Sequence, residues 1–136
     1  MTLTYLWRGP LDNTELNTLH AEAFVTRVFS NEEWDWSTQL SKHSLGWVSA
    51  RDGEKLVGFV NVIGDGSVHA WILDLMVADT HRRGGVGRQL VELARDSATA
   101  AGCEWLHVDF EEDLASFYLD ACGFRRTSAG LIDLTT

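Results

Sequence analysis

The stretch VADTHRRGGVGR, residues Val77–Arg88, joins two segments with different apolar patterns. Before it, the run Ala70–Val77 is almost continuously apolar, which is typical of a buried strand. After it, small and apolar residues recur every three or four positions through Val86–Ala101, which predicts an amphipathic helix. The sequence therefore predicts a glycine-rich loop between a buried strand and the first turn of a helix.

This loop has the features of an anion-binding site. The first backbone N–H groups of a helix have no partner inside it, and the helix dipole favours negative charge at that end. Three glycines let a ligand approach the backbone, and three arginines add positive charge. We therefore expect a phosphate or pyrophosphate here, the alternative being a tight turn with solvated arginines. These residues are Gly84, Gly85 and Gly87, and Arg82, Arg83 and Arg88.

Two common phosphate motifs do not match this loop. No Lys-Ser or Lys-Thr pair follows the glycines, as a P-loop requires. A dinucleotide-binding fingerprint needs a third glycine, and Leu90 stands at that position.

The loop instead resembles the acetyl-CoA loop of the GNAT acetyltransferase superfamily, [QR]-x-x-G-x-[GA]. Arg82, Gly85 and Gly87 occupy the fixed positions of that pattern. A second segment, Ala115–Phe124, is similar to the family's A-x-x-F-Y-x-x-x-G-F motif, with Phe117 and Tyr118 each one position before the motif's Phe and Tyr. The resemblance covers residues 45–124.

The predicted elements follow the order of the GNAT fold. The resemblance implies an α/β (mixed α+β) single domain over residues 1–136. Its central mixed, largely antiparallel sheet is splayed between the fourth and fifth strands, with about four helices around it. Asp-Gly pairs between apolar runs predict two hairpins. The predicted strands are 2–7, 45–51, 55–63, 68–77, 104–110, 124–127 and 131–134, and the predicted helices are 12–24, 32–43, 86–101 and 113–122.

The resemblance also implies the cofactor, acetyl-CoA. In this family the pantetheine arm pairs with a strand edge, and backbone groups of that strand polarise the thioester carbonyl. The loop amides take the pyrophosphate. The family often has asparagine at the position of Glu112, where it contacts the coenzyme. The cofactor-binding residues are thus Leu75, Met76, Val77, Arg82, Arg83, Gly84, Gly85, Val86, Gly87, Arg88, Glu112 and Phe117.

Tyr118 is the candidate general acid, because the resemblance places it near the coenzyme sulfur. A phenol is protonated at neutral pH and can donate its proton to a thiolate leaving group. A tyrosine on this apolar helix face is also typical of a core residue.

Asp74 is the candidate general base, because a charge inside an apolar strand is costly unless it has a partner or a function. A buried ion pair or a solvent-facing residue is the alternative. Asp109, Glu111, His69 and His107 are further candidates, and a water chain would need no base at all.

In this superfamily the first two helices and the late strands usually recognise the acceptor. Aromatic rings beside carboxylates suit an amine, through cation–π contact and charge. Trp34 and Trp36 could equally close the core. The candidate acceptor-binding residues are Phe29, Trp34, Trp36, Asp109 and Glu111, with Phe24 and Asp35 nearby.

The composition limits the partners. A net charge of −9 argues against nucleic acid and anionic membranes, and it suits a cationic substrate. No apolar run approaches the roughly 20 residues of a membrane span, and no secretory signal pattern is present, so we expect a cytoplasmic protein. Cys103 and Cys122 lack metal-ligand spacing, so we expect reduced thiols and no metal. A homodimer is plausible for so small a chain.

We therefore expect an acetyl-CoA-dependent N-acetyltransferase. It would move an acetyl group to a primary amine of a small molecule or peptide by direct transfer in a ternary complex. One alternative is a non-catalytic acyl-CoA-binding or sensing domain with the same fold. Another is an enzyme with a different phosphate ligand that shares only the loop.

Overall fold

Five strands form one sheet in chain order in the computed structural model, which describes residues 2–135. Residues 1 and 136, the ends of the predicted domain, lie outside the described part. The first four strands pair antiparallel, and the fifth pairs parallel with the fourth. The strands are β1 (Leu3–Trp7), β2 (Ser44–Asp52), β3 (Lys55–Gly64), β4 (His69–Val77) and β5 (Trp105–His107).

Helices cover both faces of the sheet. They are α1 (Asn13–Phe24), α2 (Trp36–His43) and α3 (Val86–Ala100). A Cβ built on Gly58 of β3 would lie 3.0 Å from the side chains of Leu90 and Val86, so α3 packs on that face. The next residue, Phe59, contacts the ring of Trp36 at 5.9 Å on the opposite face, where α1 and α2 lie.

The sequence predicts both ends of α1 and α3 to within one residue. Asp12 caps α1: its carboxylate accepts a hydrogen bond from the Glu15 N–H at 2.8 Å, and the Glu15 carboxylate accepts from the Asp12 N–H at 3.0 Å. Helix α3 ends at Ala100, and Gly102 follows with a φ of +96°, as expected for a glycine after a helix end.

Helix α2 is shorter than the predicted helix 32–43, because it begins at Trp36. The carboxylate of Asp35 caps it by accepting from the Thr38 N–H at 3.1 Å. The preceding residues form a separate turn, closed by the Trp34 N–H donating to the Ser30 carbonyl at 3.0 Å. Because of this turn and this cap, residues 32–43 do not form one continuous helix.

Both predicted hairpins are confirmed. Asp52 pairs with Lys55 across the first turn, where Gly53 has a φ of +63°. At the second, the Asp65 carboxylate accepts from the Ser67 N–H at 2.7 Å.

Strand β5 is shorter than the predicted strand 104–110. It pairs with His69–Trp71 and then diverges from β4. The predicted separation of the fourth and fifth strands is therefore present. Its cause is that the chain after His107 turns away instead of continuing the ladder.

The C-terminal part differs from the prediction in two ways. The predicted helix 113–122 is helical but not a regular α-helix: it is a 3₁₀ turn, Glu112–Leu114, followed by a π-helix, Ser116–Ala121. The predicted strands 124–127 and 131–134 do not form within the described residues. The side chains of Leu131, Ile132 and Leu134 are 81–92% exposed, because no sheet face is available to cover them.

Candidate active site

The glycine-rich loop leaves its backbone open at the start of α3. Gly85 caps the helix with a φ of +84°, and a Cβ at that position would meet no atom within 4 Å. Gly84 is similarly open, with the His81 carbonyl as its nearest neighbour at 3.6 Å. The first hydrogen bond of α3 runs from the Gln89 N–H to the Gly85 carbonyl, so within residues 2–135 the preceding N–H groups of α3 remain available to an anion.

The arginines lie around this loop. Arg82 forms an ion pair with Asp79 at 3.1 Å and also donates to the Ala23 carbonyl at 3.3 Å, which ties the loop to the end of α1. Arg88 pairs with Glu92 one turn along α3, at 3.3 Å. Both guanidinium groups are at least half exposed, so their charge stays close to the open N–H groups.

Gly87 couples the loop to the π-helix. A Cβ at this position would lie 3.2 Å from the Phe117 ring and 3.8 Å from Val77 of β4. The absence of a side chain therefore lets α3, β4 and the π-helix meet. Phe117 in turn contacts the ring of Tyr118 edge-on, at 4.9 Å.

A cleft of about 100 Å³ lies where β4 and β5 separate. We call it the strand cleft. It brings together both residues predicted to be catalytic, Tyr118 and Asp74, and one residue predicted to bind the acceptor, Asp109. Among the residues that the structure describes, the β4 backbone beyond Trp71 pairs with no residue on the β5 side, so an extended ligand can pair there. The lining residues are Ile72, Leu73, Asp74, Leu75, Val108, Asp109 and Tyr118.

Tyr118 is held in a layer of aromatic rings. Its ring stacks on Phe110 at 5.1 Å and contacts Phe124 at 6.0 Å. Burial, with a smaller effect of Cys122, raises the pKa of Tyr118 to about 12. The phenol therefore keeps its proton at neutral pH, as a proton donor must.

Asp74 interrupts β4 at a bulge. The pairing of β3 with β4 shifts register between Phe59 and Asn61, and Asp74 has a φ of +59°, which is unusual for a residue other than glycine. Burial raises the pKa of Asp74, while a hydrogen bond from Asn61 and the charge of His20 act against that rise. A carboxylate with a raised pKa can accept a proton at neutral pH.

The aromatic residues beneath α1 divide between core and surface. Trp36 is 1% exposed and donates from its indole N–H to Asn17 at 2.8 Å. Trp36 is thus a core residue, so it is not an accessible contact for an acceptor. Trp34 stacks on it at 4.6 Å and is half-buried, as is Phe29. Of the three aromatic candidates, Trp34 and Phe29 have exposed ring surface.

The structure places the remaining candidates apart from the strand cleft. His69 and His107 share a 2.8 Å ring-nitrogen contact at the paired end of β4 and β5. Glu112 forms a bidentate ion pair with Arg126, at 2.9 and 3.1 Å, so its carboxylate is already engaged. Glu111 is exposed just before the 3₁₀ turn.

His20 is a buried polar residue that the sequence did not single out. It is 7% exposed, lies on α1 and affects the ionisation of Asp74. The sequence does place His20 on the same helix face as Leu16 and Leu19, which indicates that the histidine is buried. Which polar group it meets depends on how α1 packs on β4.

A larger cavity, of about 220 Å³, lies between α1 and the β2–β3 hairpin. Two of its three lining glutamates are already engaged: Glu15 pairs with Arg51 at 2.7 Å, and Glu22 accepts from the Asp79 N–H at 2.6 Å. It is therefore a less suitable reaction site than the strand cleft.

Among the described residues, the groups that could bind a metal, the two cysteines and the helices provide no further candidate site. Within residues 2–135, no three histidine, cysteine or carboxylate side chains form a possible metal site. Cys103 and Cys122 are half-buried free thiols, and burial raises the pKa of Cys122. Among the helices in this part of the chain, none has the length and apolar character needed to cross a membrane.

A model of the GNAT acetyltransferase family matches residues 13–124. The chain belongs to this family. No curated protein sequence matches it. Membership of this family supports an acyltransferase activity. Members of the family use acetyl-CoA and an acceptor substrate.

Solved structures with the same fold include several acetyltransferases. A probable acetyltransferase of unknown function from meticillin-resistant Staphylococcus aureus is 20% identical, with a TM-score of 0.79 over 97% of this chain and 98% of that one. Glucosamine-6-phosphate N-acetyltransferase from Arabidopsis thaliana is 18% identical, with a TM-score of 0.77 over 98% and 99%. AAC(6')-Iy, in complex with the bisubstrate analogue CoA-S-monomethyl-acetylneamine, is 17% identical, with a TM-score of 0.75 over 100% and 99%.

Proposed function

We propose that the protein is an acetyl-CoA-dependent N-acetyltransferase that acts on a primary amine of a small molecule or peptide. The observation that carries this proposal is the strand cleft, which places Asp74 and Tyr118 on one cavity beside an unpaired edge of β4. A non-catalytic acyl-CoA-binding domain needs the open edge and the loop, but it does not need these two groups. A cytoplasmic location and a homodimer stay predictions.

The coenzyme would lie along β4 with its pyrophosphate on the loop. Free N–H groups at the start of α3 would bind the phosphate oxygens, with Arg83 and Arg88 nearby. The pantetheine arm would pair with β4 beyond Trp71, and the backbone of Leu75, Met76 and Val77 would orient the thioester. Phe117 would pack against the arm, because it already meets the loop at Gly87.

Direct transfer needs two proton movements. Asp74 would take one proton from the acceptor ammonium, so that the neutral amine can attack the thioester carbon. As the carbon–sulfur bond breaks, Tyr118 would protonate the leaving thiolate and recover a proton from the new amide nitrogen. Each such proton transfer typically contributes about 10²–10⁴-fold to the rate.

A cationic acceptor fits the charges around the cleft. The chain carries a net charge of −9, and Asp109 at the cleft is exposed. Trp34 and Phe29 present ring surface that can contact a cation. The bisubstrate analogue in the structure of AAC(6')-Iy joins CoA to an acetylneamine, and this supports an amine acceptor for the same fold.

Thermal unfolding with acetyl-CoA, CoA or ATP at equal concentrations tests the cofactor. A ligand at 100 times its Kd stabilises the folded state by about 2.7 kcal/mol. We expect acetyl-CoA and CoA, but not ATP, to raise the Tm. An increase with ATP alone would favour another phosphate-ligand enzyme, and the absence of any increase with CoA would overturn the loop assignment.

Tyr118→Phe tests catalysis separately from binding. We expect kcat to fall by about 10²-fold or more, because the general acid is lost, with the acetyl-CoA-induced Tm increase unchanged. Tyr5→Phe on β1 is the matched control and should keep wild-type turnover, since Tyr5 lies at the opposite edge of the sheet. Equal turnover of both variants would contradict the acid role of Tyr118. A wild-type protein that binds acetyl-CoA but acetylates no member of an amine panel would favour the sensing domain.

A further inference from the structure

Two histidines and a tryptophan join β4 to β5 at the last residues that the two strands pair. The Nδ1 atom of His69 lies 2.8 Å from Nε2 of His107, a hydrogen bond in which one of the two ring nitrogens carries the proton. The ring of Trp71 stacks on His107, with centroids 4.7 Å apart and an interplanar angle of 17°. All three side chains are half-buried. We call these three residues the clasp.

The clasp lies directly beside the strand cleft. Trp71 pairs with His107 in the last step of the β4–β5 ladder. The residues that follow them, Ile72 and Val108, line the cleft. Parallel pairing is slightly less stable per residue than antiparallel pairing, and this ladder has three residue pairs. The clasp therefore strengthens a short ladder at the point where it ends.

The other end of this ladder is fixed by backbone hydrogen bonds. The N–H groups of Glu104 and Trp105 both donate to the Val68 carbonyl, at 2.7 and 3.1 Å. The Asp65 carboxylate accepts from the His69 N–H at 3.2 Å. We therefore expect the ladder to open first at the clasp, which is the end that borders the strand cleft.

The proposed position of the coenzyme directs its acyl group toward the clasp. The pyrophosphate would lie on the loop at the start of α3, where a Cβ on Gly87 would be 3.8 Å from Val77. Val77 ends β4, and Trp71 lies at the other end of the unpaired edge. The pantetheine arm would therefore run from Val77 toward Trp71, with the thioester and the acyl group at its far end.

The arm and the open edge have similar lengths. From Val77 back to Ile72 the strand spans at most about 16 Å, because the bulge at Asp74 bends it. The arm has about twelve bonds from the phosphate ester oxygen to the sulfur, equivalent to about four extended residues or about 14 Å. The sulfur would thus lie near Leu73, and the acyl group would lie beside Ile72, where the clasp closes the cleft.

We propose that the clasp is the end wall of the acyl site and restricts the coenzyme to short acyl groups, acetyl above all. The strand cleft holds about 100 Å³, which leaves little room beyond a two-carbon acyl group. His69 and His107 are positioning residues in this role, because they act through the ladder and not by contact with the thioester. This inference rests on the proposed function, which places acetyl-CoA along β4. It adds a selection among acyl donors.

Calorimetric titration with acetyl-CoA, propionyl-CoA and butyryl-CoA tests this selection without an acceptor or turnover. One extra methylene in a closed site typically costs about tenfold or more. We therefore expect the wild-type affinity to fall about tenfold for propionyl-CoA and further for butyryl-CoA. In His107→Ala the hydrogen bond and the stacked ring are lost, so the ladder can open past Trp71. The preference for acetyl-CoA over butyryl-CoA should then fall by about tenfold or more.

His107→Gln is the rescue variant, because the glutamine amide can take the place of Nε2 and bond to His69. It should keep the wild-type preference. His43→Ala is the matched control, since His43 is exposed at the end of α2. An unchanged preference in His107→Ala, or equal wild-type affinity for the three donors, would overturn the proposal. An equal loss of affinity for all three donors would show a purely structural role and overturn it too.

Amide hydrogen exchange tests the clasp without any ligand. In His107→Ala the loss of one hydrogen bond should speed the exchange of the β5 amides by about 2- to 10-fold, with no change in β2 and β3 at the centre of the sheet. Wild-type exchange in β5 would overturn the clasp. A wild-type protein that binds none of the three donors would reject the proposed function and the acyl site with it. Binding of all three donors without selection would overturn the clasp alone.

Discussion

Replacing Gly85 with alanine should cost stability through the backbone alone. Its φ of +84° is left-handed, and the added Cβ would meet no atom within 4 Å. Alanine in this conformation costs about 1–2 kcal/mol. Unfolding entropy is about 2.1 cal/mol/K per residue, or about 0.29 kcal/mol/K for 136 residues, so the Tm should fall by about 3–7 °C. Thermal unfolding without ligand measures this directly.

Gly84→Ala separates stability from ligand binding. Gly84 lacks a positive φ, and its Cβ would have the His81 carbonyl at 3.6 Å as nearest neighbour, so the Tm should stay within about 2 °C of the wild-type value. Both added methyl groups would enter open space at the loop, where the pyrophosphate is proposed to lie. Isothermal titration should therefore show weaker acetyl-CoA binding for both variants. Wild-type affinity in Gly84→Ala would refute the pyrophosphate position, and a wild-type Tm in Gly85→Ala would refute the strain argument.

Two further predictions concern the layer beneath α1. Asn17→Ala leaves the buried indole N–H of Trp36 without its acceptor, so it should cost about 1–3 kcal/mol and lower the Tm by about 4–10 °C, while acetyl-CoA binding in calorimetry stays normal. Glu15→Gln removes the ion pair with Arg51, which holds the pKa of Glu15 below its usual value of 4.5. That stabilisation is present above about pH 4.5 and disappears as the pH falls through the lower folded-state pKa, so the Tm difference between variant and wild type should shrink there. A constant Tm difference from pH 7 to pH 3 would contradict the assignment.

The parts of the fold that were correctly predicted have local causes. Asp12 and Glu15 form a capping box wherever α1 packs, and Gly53 and Gly66 supply left-handed residues to their turns. The helical period after Gly85 likewise depends only on neighbouring residues. Such signals lie within a few positions of the feature that they determine, and that is why the sequence is sufficient to read them.

The errors occur where a distant partner decides the structure. Segments 124–127 and 131–134 are predicted strands, but a strand needs an edge to pair with, and β5 ends at His107. The start of α2 depends on a competing turn at Ser30. Local propensity favours these elements, but it does not supply their partners.

The candidate site divides in the same way. From the sequence alone come the loop, its glycines and arginines, and the motif that contains Tyr118, since these are contiguous residues with a recognisable spacing. Only the tertiary structure decides that Trp36 lies in the core while Trp34 remains half-exposed, because this depends on the depth at which α2 packs on Phe59. It also brings Asp74 and Tyr118 onto one cleft, since the bulge in β4 and the divergence of β5 set their separation. Functional residues that lie within one short segment can be recognised from the sequence. Functional residues from distant segments can be grouped only from the folded structure.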